Sequence, residues 1–242
     1  MKIVSQTDTG TVRNSNQDSY AAGELLKGTA WAVVCDGMGG ANGGNIASAN
    51  AVKIISEYIS SSYHEEMGSN SIRALLESSI YGANIRLYDM SRTIESLSGM
   101  GTTVVAAIVW DGIAHIAHAG DSRAYIIRDN QLIQITKDHS IVQSMIDKGQ
   151  LTEDEAKNHP NKNVITRALG VGEEIGIEYN EVEFLENDCL LLCTDGLTNY
   201  LSKQEIEDII KDNIFYDYPQ VLIDAANKNG GGDNITLVVL SN

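Results

Sequence analysis

Only two prolines and three cysteines occur in the 242 residues. So little proline excludes a proline-rich linker or stalk. Cys35, Cys189 and Cys193 form an odd set with no CxxC, which excludes a disulfide framework or a zinc ribbon. Each lies in an apolar run and reads as a buried thiol. The five histidines show no zinc-type spacing; His115 and His118 fall on one predicted strand and read as structural. No GxxxxGK[ST] and no GxSxG occurs, so a P-loop and a nucleophile elbow are both absent. Basic residues are few, 17 Lys and Arg against 33 Asp and Glu, for a net charge of −16. Nucleic acid and anionic membrane surfaces repel such a chain. No apolar run approaches the ~20 residues of a membrane helix. The opening Met1-Lys2-Ile3-Val4 lacks a signal-peptide apolar segment, so the expected location is cytoplasmic.

What is present suits a globular chain: 43% hydrophobic and 21% charged residues, with 22 glycines for tight turns. One domain over residues 1–242 is expected. Strands are predicted at Lys2 to Asp8, Ser19 to Leu26, Trp31 to Cys35 and Thr102 to Trp110. More follow at Ile113 to Ala119, Arg123 to Arg128, Leu132 to Thr136, Val164 to Leu169, Ile175 to Phe184, Cys189 to Thr194 and Ile235 to Leu240. Asp111-Gly112, Gly120-Asp121 and Asp129-Asn130 read as turns joining antiparallel neighbours. Two helices are predicted early, Ile46 to Tyr63 and Ser71 to Ser91. The second carries Ile72, Leu75, Leu76, Ile80, Ala83 and Leu87 as one apolar stripe. Ser140 to Lys148 reads as helical. Thr152 with Glu155, and Ser202 with Glu205, form capping boxes for two further helices. Pro219 opens the last. Strands between early and late helices pack most simply as a β-sandwich with helices outside. Residues 141–163 interrupt the strands and read as a surface flap.

Asp36, Asp195 and Asp233 share one context, an apolar strand meeting a tight turn that holds the acid, and Asp121 also lies in a turn between strands. Strand ends of a rigid sheet fix ligands well. One such acid is usually only a turn residue, as Asp111 is here. Several converging acids, with no His or Cys partner, suit Mg²⁺ or Mn²⁺ rather than zinc. Gly37-Met38-Gly39-Gly40 imitates a dinucleotide fingerprint but has Asn42 at the third glycine.

The chain resembles the PPM (type 2C) family of metal-dependent protein phosphatases in its compact bacterial form. The resemblance is carried by Thr7-Asp8-Thr9-Gly10, Arg13, Asn16-Gln17-Asp18 and Asp36-Gly37-Met38-Gly39-Gly40. It continues through Met100-Gly101-Thr102-Thr103, Gly120-Asp121-Ser122-Arg123, Asp138-His139-Ser140, His159-Pro160, Asp195-Gly196-Leu197-Thr198 and Asp233-Asn234-Ile235-Thr236. It implies an α+β fold, a four-layer αββα sandwich of two mostly antiparallel sheets flanked by helices, with a flap subdomain. It implies Asp36 bridging two Mn²⁺ or Mg²⁺ ions, the Gly37 carbonyl on the first, and Asp195 and Asp233 on the second. Asp18 would hold a metal-bound water, Asp121 with Asp195 a third cation, and Arg13 the substrate phosphate. The implied reaction is hydrolysis of phosphoserine and phosphothreonine in proteins, opposing a bacterial serine/threonine kinase that is itself a candidate substrate. The alternatives are a catalytically silent phosphoprotein-binding module and a small-metabolite phosphatase. The sequence departs from the family at Met38, where animal relatives carry a histidine suited to general acid catalysis. It departs from many bacterial relatives at Ala41 and Asn45, and Gln17 replaces a common Glu.

Overall fold

The wholly apolar runs become central strands buried on both faces. In the computed structural model, which describes the backbone of residues 1–242 and the side chains of all but 40–42, β3 (Ala30–Met38) shows why. Ala30, Ala32 and Val34 enter one core, while Trp31, Val33 and Cys35 enter another. A period of two divides a continuous apolar run between two buried faces.

One sheet has the order β2 (Asp18–Glu24), β3, β5 (Val104–Trp110), β6 (Ile113–Ala119), β9 (Glu178–Glu183), with β4 (Gly101–Thr102) paired to the end of β3. The other has the order β1 (Lys2–Asp8), β11 (Ile235–Ser241), β10 (Cys189–Cys193), β7 (Arg123–Arg128), β8 (Gln131–Gln134). Neighbouring strands are antiparallel. Helices α1 (Gly40–Ser62) and α2 (Ser69–Thr93) cover the first sheet through Ile55, Ile59, Ile72, Leu76, Ile80 and Leu87. Helices α6 (Lys203–Asp212) and α7 (Tyr218–Lys228) cover the second through Ile206, Ile210, Leu222 and Ile223. Between the sheets lie Ile116, Ile126, Leu190, Leu192, Val238 and Leu240. Three cores between four layers give the expected αββα sandwich. Each fully buried aliphatic side chain contributes roughly 1.5–3 kcal/mol.

Both capping boxes form, Thr152 with Glu155 ahead of α4 (Glu153–Lys157) and Ser202 with Glu205 ahead of α6. Ser140 caps α3 (Ile141–Asp147). Asp111 and Gly112 have φ of 48° and 73°, and Asp129 and Asn130 have 51° and 62°. Those are the mirror-image turns that suit twisted hairpins. Gly120-Asp121 is different from the hairpin turn that the sequence suggests. β6 and β7 lie in different sheets, so this pair is a crossover from one layer to the other. Val164 to Leu169 is not a strand either. It touches the sheets through two single bridges, Ser140 with Ile165 and Thr102 with Leu169. The predicted strand from Thr102 is broken at Thr103, which lies between β4 and β5. Among the described residues no helix is long and apolar enough to cross a membrane.

Candidate metal centre

Antiparallel pairing brings the selected acids to one end of both sheets. Asp18 opens β2 directly opposite Asp36 near the end of β3. In the second sheet Asp195 follows β10 as the first residue of a short helix, α5 (Asp195–Thr198), and Asp233 precedes β11. Thr194 N–H donates to the Thr236 carbonyl at 3.0 Å, so the β10–β11 ladder runs on to the acids. Gly196 permits their approach, because a Cβ there would strike the Asn234 carbonyl oxygen. Arg13, Asp36, Gly37, Asp121, Asp195 and Asp233 line one cleft of about 730 Å³. Asp18 is buried beside it.

Arg13 lies on a loop pinned to the 230–233 segment by Thr11, whose N–H donates to the Gly231 carbonyl at 2.7 Å. Its guanidinium donates to Asp233 Oδ2 at 2.9 Å. The side chain is half exposed, so the pair is weak and exchangeable. Gly37 N–H donates to the Gln17 carbonyl at 3.1 Å. A Cβ at Gly37 would meet that same oxygen at 2.6 Å, so only glycine fits.

Residues to which the sequence assigned no role hold these acids in place. Asp36 N–H donates to Thr103 Oγ1 at 2.9 Å, and Thr103 N–H returns a bond to the Asp36 carbonyl at 2.9 Å. Thr194 Oγ1 donates to Asp18 Oδ2 at 2.9 Å, linking the two sheets beneath the cleft. Asn199 donates to Asp195 Oδ2 at 2.9 Å. Asn234 accepts from Gln17 N–H at 2.8 Å and donates to the carbonyls of Thr9 and Ser15. Thr103 and Asn234 stood inside the quoted motifs, so the signal was present without a chemical role attached. Met38 lines the cleft and offers no proton there. Asn45 is exposed, and Ala41 lies outside the described side chains.

The crowd of acids is electrostatically unfavourable alone. Burial, then the charges of Asp18 and Asp195, push the Asp36 carboxyl well above its ordinary range. Burial raises Asp18 to about 7 against the hydrogen bonds from Thr236 and Thr194. Burial and then Asp195 raise Asp121 to about 7. Burial and then Asp233 raise Asp195. The hydrogen bond to Asp233 raises Arg13. Oδ1 of Asp18 and Oδ1 of Asp195 are buried with no hydrogen-bond partner. Buried carboxylate oxygens of this kind are stabilised by a positive partner or by a proton. An all-oxygen donor set fits hard divalent cations, which satisfy those oxygens and neutralise the cluster.

Residues 9–226 match the Protein phosphatase 2C family, and the chain belongs to that family. It is 37% identical over 239 residues to the serine/threonine phosphatase stp of Listeria welshimeri, covering 97% of this chain and 93% of that protein. It is 37% identical over 242 residues to protein phosphatase PhpP of Streptococcus pneumoniae, covering 100% and 97%. Among solved structures, a serine/threonine phosphatase of S. agalactiae superposes with a TM-score of 0.92 at 34% identity, covering 100% of this chain and 99% of that one. The catalytic domain of the serine/threonine protein phosphatase PstP, solved with 2 manganese ions, superposes with a TM-score of 0.86 at 31% identity, covering 98% and 96%.

Proposed function

We propose that this protein phosphatase hydrolyses phosphoserine and phosphothreonine esters of proteins in the cleft of Asp36, Asp195 and Asp233, around two divalent cations, Mn²⁺ or Mg²⁺. The chain is a serine/threonine protein phosphatase, as its named relatives are. The observation that supports the site assignment is the pair of buried, unpartnered oxygens on Asp195, which lines the acidic cleft with Arg13, and on Asp18, which is buried beside it.

In this reading Asp36, the Gly37 carbonyl, Asp195 and Asp233 would hold the two ions, with Asp36 shared between them. Asp121 with Asp195 would hold a third. When bound, the cations supply Lewis-acid charge against the phosphoryl oxygens and lower the pKa of water toward about 7. Asp18, fixed by the hydrogen bond from Thr194, would accept a hydrogen bond from that water. Arg13 exchanges Asp233 for the substrate phosphate, where a planar guanidinium makes paired charge-assisted bonds. Hydrolysis joins the water oxygen to phosphorus, breaks the phosphorus bond to the seryl or threonyl oxygen, and returns one proton to that oxygen.

Phosphoproteins are the substrates, and a bacterial serine/threonine kinase is the proposed opposing partner. A cytoplasmic setting and a single domain over 1–242, with residues 141–163 as its flap, belong to the same reading. Asn163, the last residue of that segment, lies in the cleft lining, which supports a flap next to the substrate. Neither the silent binding module nor the metabolite phosphatase gains support from the named relatives. Hydrolysis of phosphothreonine and phosphoserine peptides with and without Mn²⁺ is the test. Release of phosphate that depends on Mn²⁺ and stops with a chelator is expected; undiminished release in the chelated protein overturns the metal assignment.

A further inference from the structure

His139 grips Gly120 twice. Its backbone N–H donates to the Gly120 carbonyl at 2.9 Å, and Gly120 N–H donates to its ring Nδ1 at 3.1 Å. Gly120 immediately precedes Asp121 and has φ of +118°. A Cβ at Gly120 would press on Thr103 Cβ at 2.7 Å, and Thr103 is the residue bonded to the Asp36 backbone. The peptide units on both sides of Gly120 are therefore held, and Asp121 follows them.

The same histidine stands where the α3–α4 segment leaves the sheets and returns. Ser140 caps α3 and bridges to Ile165, while Thr166 N–H donates to the His139 carbonyl at 2.7 Å. The ring is buried and stacks on His118, centroids 4.5 Å apart and 6° from parallel.

Its tautomer follows from the donors around it. A backbone N–H cannot turn away, so Nδ1 keeps its lone pair and Nε2 carries the hydrogen. Glu178 Oε2 lies 3.3 Å from Nε2 and accepts it. An Arg167 nitrogen also stands 2.9 Å from Nε2 and donates to the Gly176 carbonyl at 3.3 Å. Ligand atoms of His118, His139 and Glu178 lie within 4.8 Å of one another, the spacing of a metal site. A ring protonated at Nε2 and facing a guanidinium does not bind a cation there. Burial, then His118 and Arg167, lower the ring pKa to about 4, so it is neutral near pH 7.

We propose that His139 is a positioning residue for the phosphatase reaction: through Gly120 it fixes Asp121 at the cleft and ties that carboxylate to the root of the α3–α4 segment. The inference rests on Asp121 being a ligand for the weakest-held cation.

His139→Phe keeps the ring shape and the stack but removes the acceptor. His139→Asn places an amide oxygen near the position of Nδ1. Three measurements apply: hydrogen-exchange protection of the Gly120 amide, calorimetric affinity of the weakest Mn²⁺ site, and phosphopeptide kinetics alone and in an Asp121→Ala background. His139→Phe is expected to lose Gly120 protection, weaken that site, and lower kcat roughly 10-fold, the usual scale for a residue behind a ligand. His139→Asn is expected to retain all three within about threefold, below that scale. In the Asp121→Ala background His139→Phe is expected to add no further loss. Unchanged Gly120 protection in His139→Phe, or losses that multiply in the double variant, overturn the role of His139 while leaving Asp121 in place. A silent Asp121→Ala overturns the Asp121 reading and this inference together. If His139→Phe does not fold, His139→Gln replaces it, because its acceptor sits near Nε2 and out of reach of Gly120.

Discussion

The cleft holds its acids in two ways. Asp18 and Asp36 face each other in register on paired strands, and Asp195 and Asp233 flank the paired strands β10 and β11. Asp121 sits on a crossover between the sheets, fixed through Gly120 by His139. A ladder repeats its hydrogen bonds along the strand, so a strand-borne acid is braced by the whole sheet. A crossover acid depends on a few local bonds. The first arrangement suits ligands that must not move. The second suits a weaker position that one neighbouring side chain can tune without disturbing the others.

The comparison breaks most visibly at Asp36. Asp36→Asn is expected to abolish turnover and weaken binding of both ions, because in the proposed site one carboxylate serves two cations. Calorimetric titration with Mn²⁺ checks it; native affinity and rate in the variant would remove the two-ion assignment. Arg13→Ala tests a group that the ladder does not hold. A charge-assisted bond of roughly 1.5–3 kcal/mol predicts a loss of about 10- to 150-fold in kcat/KM with Mn²⁺ affinity unchanged. An unaltered kcat/KM would show that Arg13 does not grip the phosphate.

Asp121→Ala is expected to have a smaller and more selective effect. The two ions of the proposed core site are expected to stay, since the strand-borne acids are untouched, and hydrolysis to slow on the order of 10-fold. Phosphoserine peptides are expected to lose more rate than p-nitrophenyl phosphate, whose leaving group needs no proton. Met38 at the cleft cannot supply that proton. Kinetics on both substrates at saturating Mn²⁺ decide it: equal losses exclude a proton-donor role at Asp121.

How much the sequence revealed follows the same division. Asp36, Asp195 and Asp233 were legible because an apolar strand stopping at an acid leaves a local mark. Lys2–Asp8, Ile113–Ala119 and Arg123–Arg128 are strands with the predicted bounds. Gly120-Asp121 was misread because a short connection looks the same whether its strands pair or part into two sheets. Only long-range packing, with Ile116 and Ile126 meeting in the inter-sheet core, separates the cases. Val164 to Leu169 misled through its apolar residues, of which Leu169 is buried and Val164 exposed. Only single bridges, from Ile165 to Ser140 and from Leu169 to Thr102 of β4, tie the segment to its neighbours among the described residues. The roles of Thr103, Thr194 and His139, though not the presence of Thr103 and His139 in the motifs, were hidden for a related reason, since each is a hydrogen bond to a residue far away in sequence.

The smallest expected effect is on stability in the absence of cations. Asp18 and Asp121 titrate near 7 in the folded, metal-free protein, and Asp36 and Asp195 are raised too, burial being the first cause in each case. In the unfolded chain such groups titrate near 4. Between roughly pH 4 and 7 the folded state therefore binds more protons than the unfolded one, and stability falls as pH rises through that window. Thermal melts of the chelated protein are expected to show a lower Tm at pH 8 than at pH 5, at roughly 2–4 °C per kcal/mol for a domain of this size. Mn²⁺ binds the folded state and is expected to raise Tm more at pH 8, where protons no longer compete. The two kinds of acid separate here as well. After burial, Asp18 is the largest influence on Asp36, ahead of Asp195 and Asp121. Asp18→Asn is therefore expected to flatten the pH dependence more than Asp121→Asn. If the Asp121 variant flattens it equally, the strand-borne pair is not the more tightly coupled one, and the contrast between ladder and crossover fails on electrostatic grounds.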